Sequence, residues 1–167
     1  MINLTQTRLK ELLKYSQETG EFTWVDTRNH NVKIGDVAGQ HSQDYVRIKI
    51  DRKTYLAHRL AWLYAYGEWP QGEIDHINHV RSDNRLSNLR DVSRKINSQN
   101  RVIPSDNKSG VMGVTWSKAD KKWQSTIGAR KTYKYLGIYV EWWDAVCARK
   151  SAEHERKYHS NHGRLVA

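Results

Sequence analysis

Hydrophobic spacing along this chain switches between a period near 3.6 and a period of 2, and each switch marks an element. Residues 3–15 place Leu9, Leu12 and Leu13 at i, i+3, i+4, which predicts a short amphipathic helix that Asn3 or Thr5 can cap. The polar run "QETGEF" breaks it. From 22 to 57 the pattern is short strands: "EFTWV", "GDVAG" and "YVRIKIDRKTYL". In the last of these Val46, Ile48 and Ile50 alternate with Arg47 and Lys49, and "DRK" makes a hairpin turn. "AHRLAWLYAYG" returns to helical spacing through Leu60, Leu63 and Tyr64, and stops at Gly67 and Pro70.

Beyond Pro70, "EIDHIN" predicts a strand, "HVRSDNRLSN" a polar loop, and "LRDVSRKINSQN" a helix with Leu89, Val92 and Ile96 at i, i+3, i+7. Residues 72–100 thus form a compact ββα-type unit. "RVIPSDNKSG" (101–110) is rich in Pro, Ser, Gly and Asn and reads as a linker. Three strand-like runs follow, "GVTWSK", "KWQSTIGAR" and "YKYLGIYV", then the helix "EWWDAVCARKSAEHERKY". Its Ala145, Ala148 and Ala152 fall at i, i+3, i+7, a small-residue stripe that lets a helix lie close on a sheet. The expectation is an α+β protein of two domains, the second a three-stranded antiparallel sheet packed on one helix.

Charge narrows the partner. The formal net charge is +10 and the sequence pI about 9.7, which favours a polyanion. Lys and Arg exceed Asp and Glu by 15 to 12 over residues 1–100, but by 8 to 2 over 101–140. Seven Trp and nine Tyr accompany them, side chains that stack on bases or sugars while cations pair with phosphates. No apolar run is long enough to span a membrane, the N-terminus lacks the pattern of a secretory signal, and the single cysteine, Cys147, leaves no internal disulfide framework. These features suit a reducing cytoplasm.

Candidate chemistry centres on Asp75 and His76. A zinc site needs about four Cys or His ligands at tight spacing, whereas this chain has one distant Cys and an H-x-x-H, His76 and His79, in a loop. No nucleophile-elbow pattern supports a Ser–His–Asp triad. Phosphodiester hydrolysis fits better. A carboxylate with a neutral oxygen ligand can hold Mg²⁺ or Mn²⁺, and an adjacent imidazole can take a proton from water at neutral pH. Asp75 and His76 supply the carboxylate and the imidazole. Strand side chains alternate faces, so both reach one site only where the strand ends or twists.

The stretch "AHRLAWLYAYGEWPQGEIDHINHVRSDNRLSNLRDVSRKINSQN" (57–100) resembles the HNH endonuclease family, specifically the phage and intron-type homing enzymes with Asn at the third signature position. The leading "LTQTRLKELLKYSQETGEFTW" and "YVRIKIDRKTYLAHR" also look like the front of such proteins. The resemblance implies a ββα-metal fold with one Mg²⁺ or Mn²⁺ per active site. It makes Asp75 a metal ligand, His76 the general base and Asn97 the second ligand through its amide oxygen. Asn88 would hold the catalytic loop through backbone hydrogen bonds, Asn84 would brace the turn, and Asn100 would be a companion near metal or phosphate. His58, at a strand-to-helix junction, is expected to be structural or a supporting contact, Arg59 and Arg81 to meet phosphates, and His79 to be a solvated loop residue.

Residues 109–153, with "GVTW", "KKWQSTI", "YLGIY" and the alanine-bearing helix, resemble the Apetala/ethylene-response-factor DNA-binding domain. Phage HNH proteins often carry such a module behind the nuclease. Lys replaces several of that family's arginines, offering a point charge rather than a planar fork. Trp116, Lys118, Lys122, Trp123, Gln124, Thr126, Arg130, Lys131 and Lys134 are the candidates for the DNA side. Alternation sets Gln124 and Thr126 against Trp123, Ser125 and Ile127, so Trp123 is equally a core candidate; Leu136 and Ile138 read as packing residues. The expected organisation is a nuclease domain over 1–100, a linker over 101–110 and a DNA-binding domain over 111–160. The expected activity is site-directed cleavage of double-stranded DNA by a monomer in a bacterial or phage-infected cell, leaving 5′-phosphate and 3′-hydroxyl ends. The competing expectations are a non-cleaving DNA-binding regulator and, further off, an RNA-directed protein.

Overall fold

A computed structural model describes residues 4–26, 31–99, 103–128, 132–160 and 162–164. Asn3, Asn100, Arg130 and Lys131 lie outside the described residues. The chain divides into two units, Met1–Asn97 and Ser98–Ala167.

In the first unit, helix α1 (Gln6–Leu12) is capped by Thr5, whose hydroxyl accepts from the Arg8 N–H at 3.2 Å. The helix is shorter than its sequence spacing predicts. Leu13 leaves helical geometry to start strand β1 (Leu13–Tyr15), which pairs antiparallel with β2 (Phe22–Trp24). Pairing with β2 overrides helical spacing at Leu13. The connecting turn ends at Gly20, with φ +76°, where a Cβ would stand 2.7 Å from the Asn84 carbonyl carbon. Only glycine fits so close to that loop.

Strands β3 (Gln40–Ser42), β4 (Tyr45–Ile50) and β5 (Lys53–Leu56) form an antiparallel sheet in that order. Both hairpins turn on two left-handed residues, Gln43 and Asp44 in one and Asp51 and Arg52 in the other, the geometry that matches strand twist. The expected strand at "GDVAG" shrinks to a single bridge between Val37 and Thr23, because Gly35 and Gly39 take φ values no ladder accommodates. Helix α2 (Ala57–Tyr66) follows β5 directly and closes on Gly67 at φ +82°. Leu9, Leu13, Phe22, Ile48, Ile50, Leu60 and Leu63 form the core of this unit, each almost wholly buried.

The last elements of the unit correct one expectation. Residues 89–92, predicted as the start of a helix, form β7 (Leu89–Val92), antiparallel to β6 (Glu73–His76). Helix α3 begins only at Arg94 and runs to Gln99. The Asp91 carboxylate accepts from the Gln71 and Gly72 N–H groups at 2.9 and 2.8 Å and so holds the entry to β6. Leu89 is buried, while Ile96 is exposed, so the i, i+3, i+7 spacing is not one buried face.

In the second unit β8 (Val114–Ser117), β9 (Lys122–Ile127) and β10 (Lys134–Tyr139) form an antiparallel sheet with β9 central. Helix α4 (Trp142–Glu155) packs on it. Ala145 and Ala152 are buried and Ala148 half-buried, as the small-residue stripe predicts. Arg149, buried on α4, donates to the Thr126 carbonyl at 2.5 Å and to Glu153 at 2.7 Å. Its remaining nitrogen lies 3.1 Å from His162 Nε2. Within the stretch read as a linker, Ile103 is buried and its N–H meets the Arg164 carbonyl at 3.4 Å, which ties 103 to the second unit. Among the described residues no helix is long and apolar enough to cross a membrane.

Candidate active site

Strand β6, the loop after it and β7 build the site. Asp75 and His76 are both buried, at 6% and 5% exposure, although each is a polar side chain that water would otherwise solvate. Burial without partners is costly, so each partner is informative. Register puts Asp75 directly across from Arg90, whose Nε and Nη2 donate to Asp75 Oδ2 at 2.8 and 2.6 Å. His76, on the alternate face, lies edge-on to His58 with ring centroids 5.0 Å apart and 6.1 Å from the Tyr45 ring. β6 ends at His76, where a turn carries the His79 N–H back to the His76 carbonyl at 3.0 Å.

The His76 Nε2 is buried and has no hydrogen-bond partner among the described residues. Buried polar atoms nearly always have one, so an orphaned imidazole nitrogen needs an explanation. Burial pulls this imidazole below its ordinary value, while the Asn84 side chain, which approaches the ring without closing a hydrogen bond on Nε2, and the Asp75 and Asp83 carboxylates oppose the shift. His58 is driven further, to about 3, by burial and then by the neighbouring His76 and Arg59. Both rings are therefore neutral near pH 7. A neutral imidazole with an open nitrogen can accept a proton.

The loop from 77 to 88 is held by asparagines. Asn88, buried at the end of the 3₁₀ turn Leu86–Asn88, donates to the Asp83 carbonyl at 2.8 Å and accepts from the Asn78 N–H at 2.9 Å. Asn84 donates to the Ser82 carbonyl at 3.0 Å, and its buried Oδ1 has no partner among the described residues. Its backbone carbonyl accepts from the Tyr15 hydroxyl at 2.6 Å, so β1 grips the loop from behind. Asp83 is held below the usual carboxylate range by its hydrogen bonds to Arg85, despite some burial.

Asn97 on α3 does not contact Asp75 through any hydrogen bond described; its Nδ2 donates to Glu73 Oε2 at 2.7 Å. Glu73 and Asp75 sit two residues apart and so share one face of β6. A buried carboxylate needs a cation, and Arg90 stands directly across the ladder from it. Arg81 lies over the Tyr45 ring at 5.3 Å and pairs with Asp44 at 3.6 Å, and Arg59 lies over Trp69 at 5.8 Å.

In the second unit, register separates the candidate DNA contacts. Lys122, Gln124 and Thr126 share the face turned away from α4. Trp116 and Trp123 are opposite each other on the α4-facing side, with rings 5.1 Å apart, and Trp123 joins the core. The period of two sends them there, so they do not stand with Gln124 and Thr126. Lys118 is exposed in the turn before β9, and Lys134 pairs with Ile127 at the sheet's end.

Residues 55–99 carry an HNH endonuclease domain: they match that family over this span. Protein 3.8 of Escherichia phage T7 is 40% identical over 78 residues, an alignment covering 46% of this chain and 64% of the phage protein. The likeness is thus distant and partial. No solved structure matches. The HNH span begins in β5 and includes the residues of the first-unit site named above except Tyr15, Asp44 and Tyr45.

Glu73, Arg90 and Tyr45 escaped the reading of the sequence. Alternation along "EIDH" already aligns Glu73 with Asp75, but Arg90 becomes visible only once 89–92 is known to be a strand. Among the described residues, no cluster of three or more His, Cys, Asp or Glu is arranged to hold a metal, so a cation here would draw on an amide oxygen as well.

Proposed function

We propose that this protein is a metal-dependent DNA endonuclease in which His76 is the general base. The observation that carries the reading is the buried, neutral His76 with an open Nε2, inside the HNH span and beside a loop that Asn84 and Asn88 brace. A water placed at that nitrogen would lose its proton to it and attack the scissile phosphorus in line.

The donor set suits a hard cation, with oxygens from a carboxylate and an amide on the β6–α3 side of the site. Asp75 and Asn97 would hold it. Glu73 accepts from the amide's nitrogen end, so the oxygen end would be the one offered to a cation. Bound there, Mg²⁺ or Mn²⁺ supplies positive charge at the scissile phosphate and the departing 3′-oxygen. Arg90 holds the Asp75 carboxylate in place. Arg59, over the Trp69 ring, and Arg81, over the Tyr45 ring, would meet flanking phosphates.

The second unit would hold double-stranded DNA on the face carrying Lys122, Gln124 and Thr126, in the manner of the Apetala-type domain it resembles, with Lys118 and Lys134 at its margins. A three-stranded sheet is narrow enough for the major groove. Such a reader would make the nuclease site-directed, in the homing style, and let a monomer suffice. The site of action we propose is DNA inside a bacterial or phage-infected cell; the partial relative is itself a phage protein.

A second reading draws on one observation. Asp75 is engaged by Arg90, the pairing a non-cleaving DNA-binding regulator would keep. Supercoiled plasmid with Mg²⁺ separates the two. The nuclease reading expects nicked or linear product from the wild type, loss of cutting in Asp75→Ala, and a retained gel shift in both. A wild type that shifts plasmid but never cuts it would establish the regulator.

A further inference from the structure

The outer face of the β3–β4–β5 sheet plays no part in the site described above. Register places Gln40, Ser42, Tyr45, Arg47, Lys49 and Thr54 on that face, while Ile48 and Ile50 turn into the core. Leu56, across from Arg47, is the one apolar strand residue on the face; each of the other six can donate a hydrogen bond, two are cations, and none is acidic. Arg47 and Lys49 are exposed, and neither forms an ion pair with a described residue.

Three acids, Asp26, Asp36 and Asp51, line the groove beside this face, and two of them have partners. Asp51 takes both forks of Arg8 at 3.1 Å, and Asp36 accepts from the Lys33 N–H at 2.8 Å. Together the sheet and the segment around Asp36 line a groove. One end of that face lies at the catalytic histidine: Tyr45 is 6.1 Å from His76 by ring centroids, and Arg81 covers the Tyr45 ring. Strand β4 then runs outward through Arg47 and Lys49. At about 3.4 Å per residue, Tyr45 to Lys49 covers roughly 14 Å, close to four nucleotide steps of one strand at about 3.4 Å each.

A duplex cleaved at His76 must continue past the site, and this stripe is the adjoining surface whose charge complements it. We infer that the β3–β4–β5 face is a second DNA-contacting surface, which grips the phosphate backbone flanking the scissile bond through Arg47 and Lys49. The inference rests on the nuclease reading and adds a surface to it. Tyr45 and Arg81 join the stripe to the site. Contacts of this kind fix register without reading sequence.

The test uses the full-length chain in a His76→Ala background, so that binding is read without cleavage. Affinity for duplex DNA is measured against salt, and protection is mapped by footprinting. Adding Arg47→Ala and Lys49→Ala should weaken binding about tenfold or more and reduce the log–log salt slope by roughly two, one per lost phosphate contact. Protection should shrink on one side of the cleavage position only. The charge-keeping pair Arg47→Lys and Lys49→Arg should restore slope and footprint, and thermal unfolding should show all variants folded. Unchanged slope and footprint in the alanine pair, with the His76→Ala parent binding well, would overturn the inference and leave the nuclease reading standing. A parent that does not bind DNA would overturn both.

Discussion

At the scale of single residues, polar groups that fold into the interior define the first unit. His58 and His76 stay neutral because the interior will not solvate a charged ring. For His58 the folded value is about 3 against an ordinary 6.5. The unfolded chain therefore binds a proton first as pH falls. Stability contributed by neutral His58 is full above 6.5, drains away between 6.5 and 3, and His76 acts in the same direction. Urea unfolding at pH 7 and pH 4 should show a marked loss at the lower pH, and His58→Asn should flatten it. A second residue-scale expectation concerns Arg90. Its removal takes a guanidinium away from a carboxylate that is only 6% exposed. Arg90→Ala should cost about 2 kcal/mol, below the figure for a fully buried pair because Arg90 itself reaches solvent. Chemical denaturation measures it. The Asp75–His76 pair stood out in the sequence as an adjacent carboxylate and imidazole, and the structure buries both. Arg90 did not stand out, because its role depends on a cross-strand partner that residue order does not display.

At the scale of elements, local spacing and tertiary pairing competed, and pairing won twice. Leu13 and Leu89 each begin a strand where helical spacing predicts helix. In both places a neighbouring strand, β2 or β6, supplies a full set of backbone partners. Helices with buried faces and clean stops were readable, α2 above all, since Leu60 and Leu63 precede a left-handed Gly67. The loop between β6 and β7 gains its shape from side-chain hydrogen bonds. Asn88→Ala removes two of them and exposes an N–H and a carbonyl to burial without partners, which should cost about 1–3 kcal/mol. Asn88→Asp keeps only the acceptor and should fall between. In the second unit Arg149 ties α4 to β9 and to the segment holding His162. Arg149→Met should destabilise by about 3 kcal/mol, since Glu153 stays buried with only the exposed Lys150 and the His162 ring, 3.6 Å away, beside it. Hydrogen exchange at Thr126 and along α4 reads out the local effect.

At the scale of the whole molecule, net charge of +10 and an HNH span converge on nucleic acid. The sequence already placed most of the excess charge beyond residue 100, but it could not apportion faces. Strand register does so: Trp116 and Trp123 pass to the α4 side, and Arg47 and Lys49 emerge on the outer face of the first unit. Both shifts follow from the period of two once strand partners are known. The molecule is thus expected to show steep salt dependence in binding duplex DNA, shared between two basic surfaces. The most direct measurement is the single-turnover rate of duplex cleavage with Mg²⁺ as a function of pH, for wild type and His76→Ala. The wild-type rate should hold its plateau at neutral pH and fall only below the ordinary imidazole range, while His76→Ala should bind equally well and cut about 100-fold slower or worse. Undiminished cutting by His76→Ala would contradict the role assigned to that side chain.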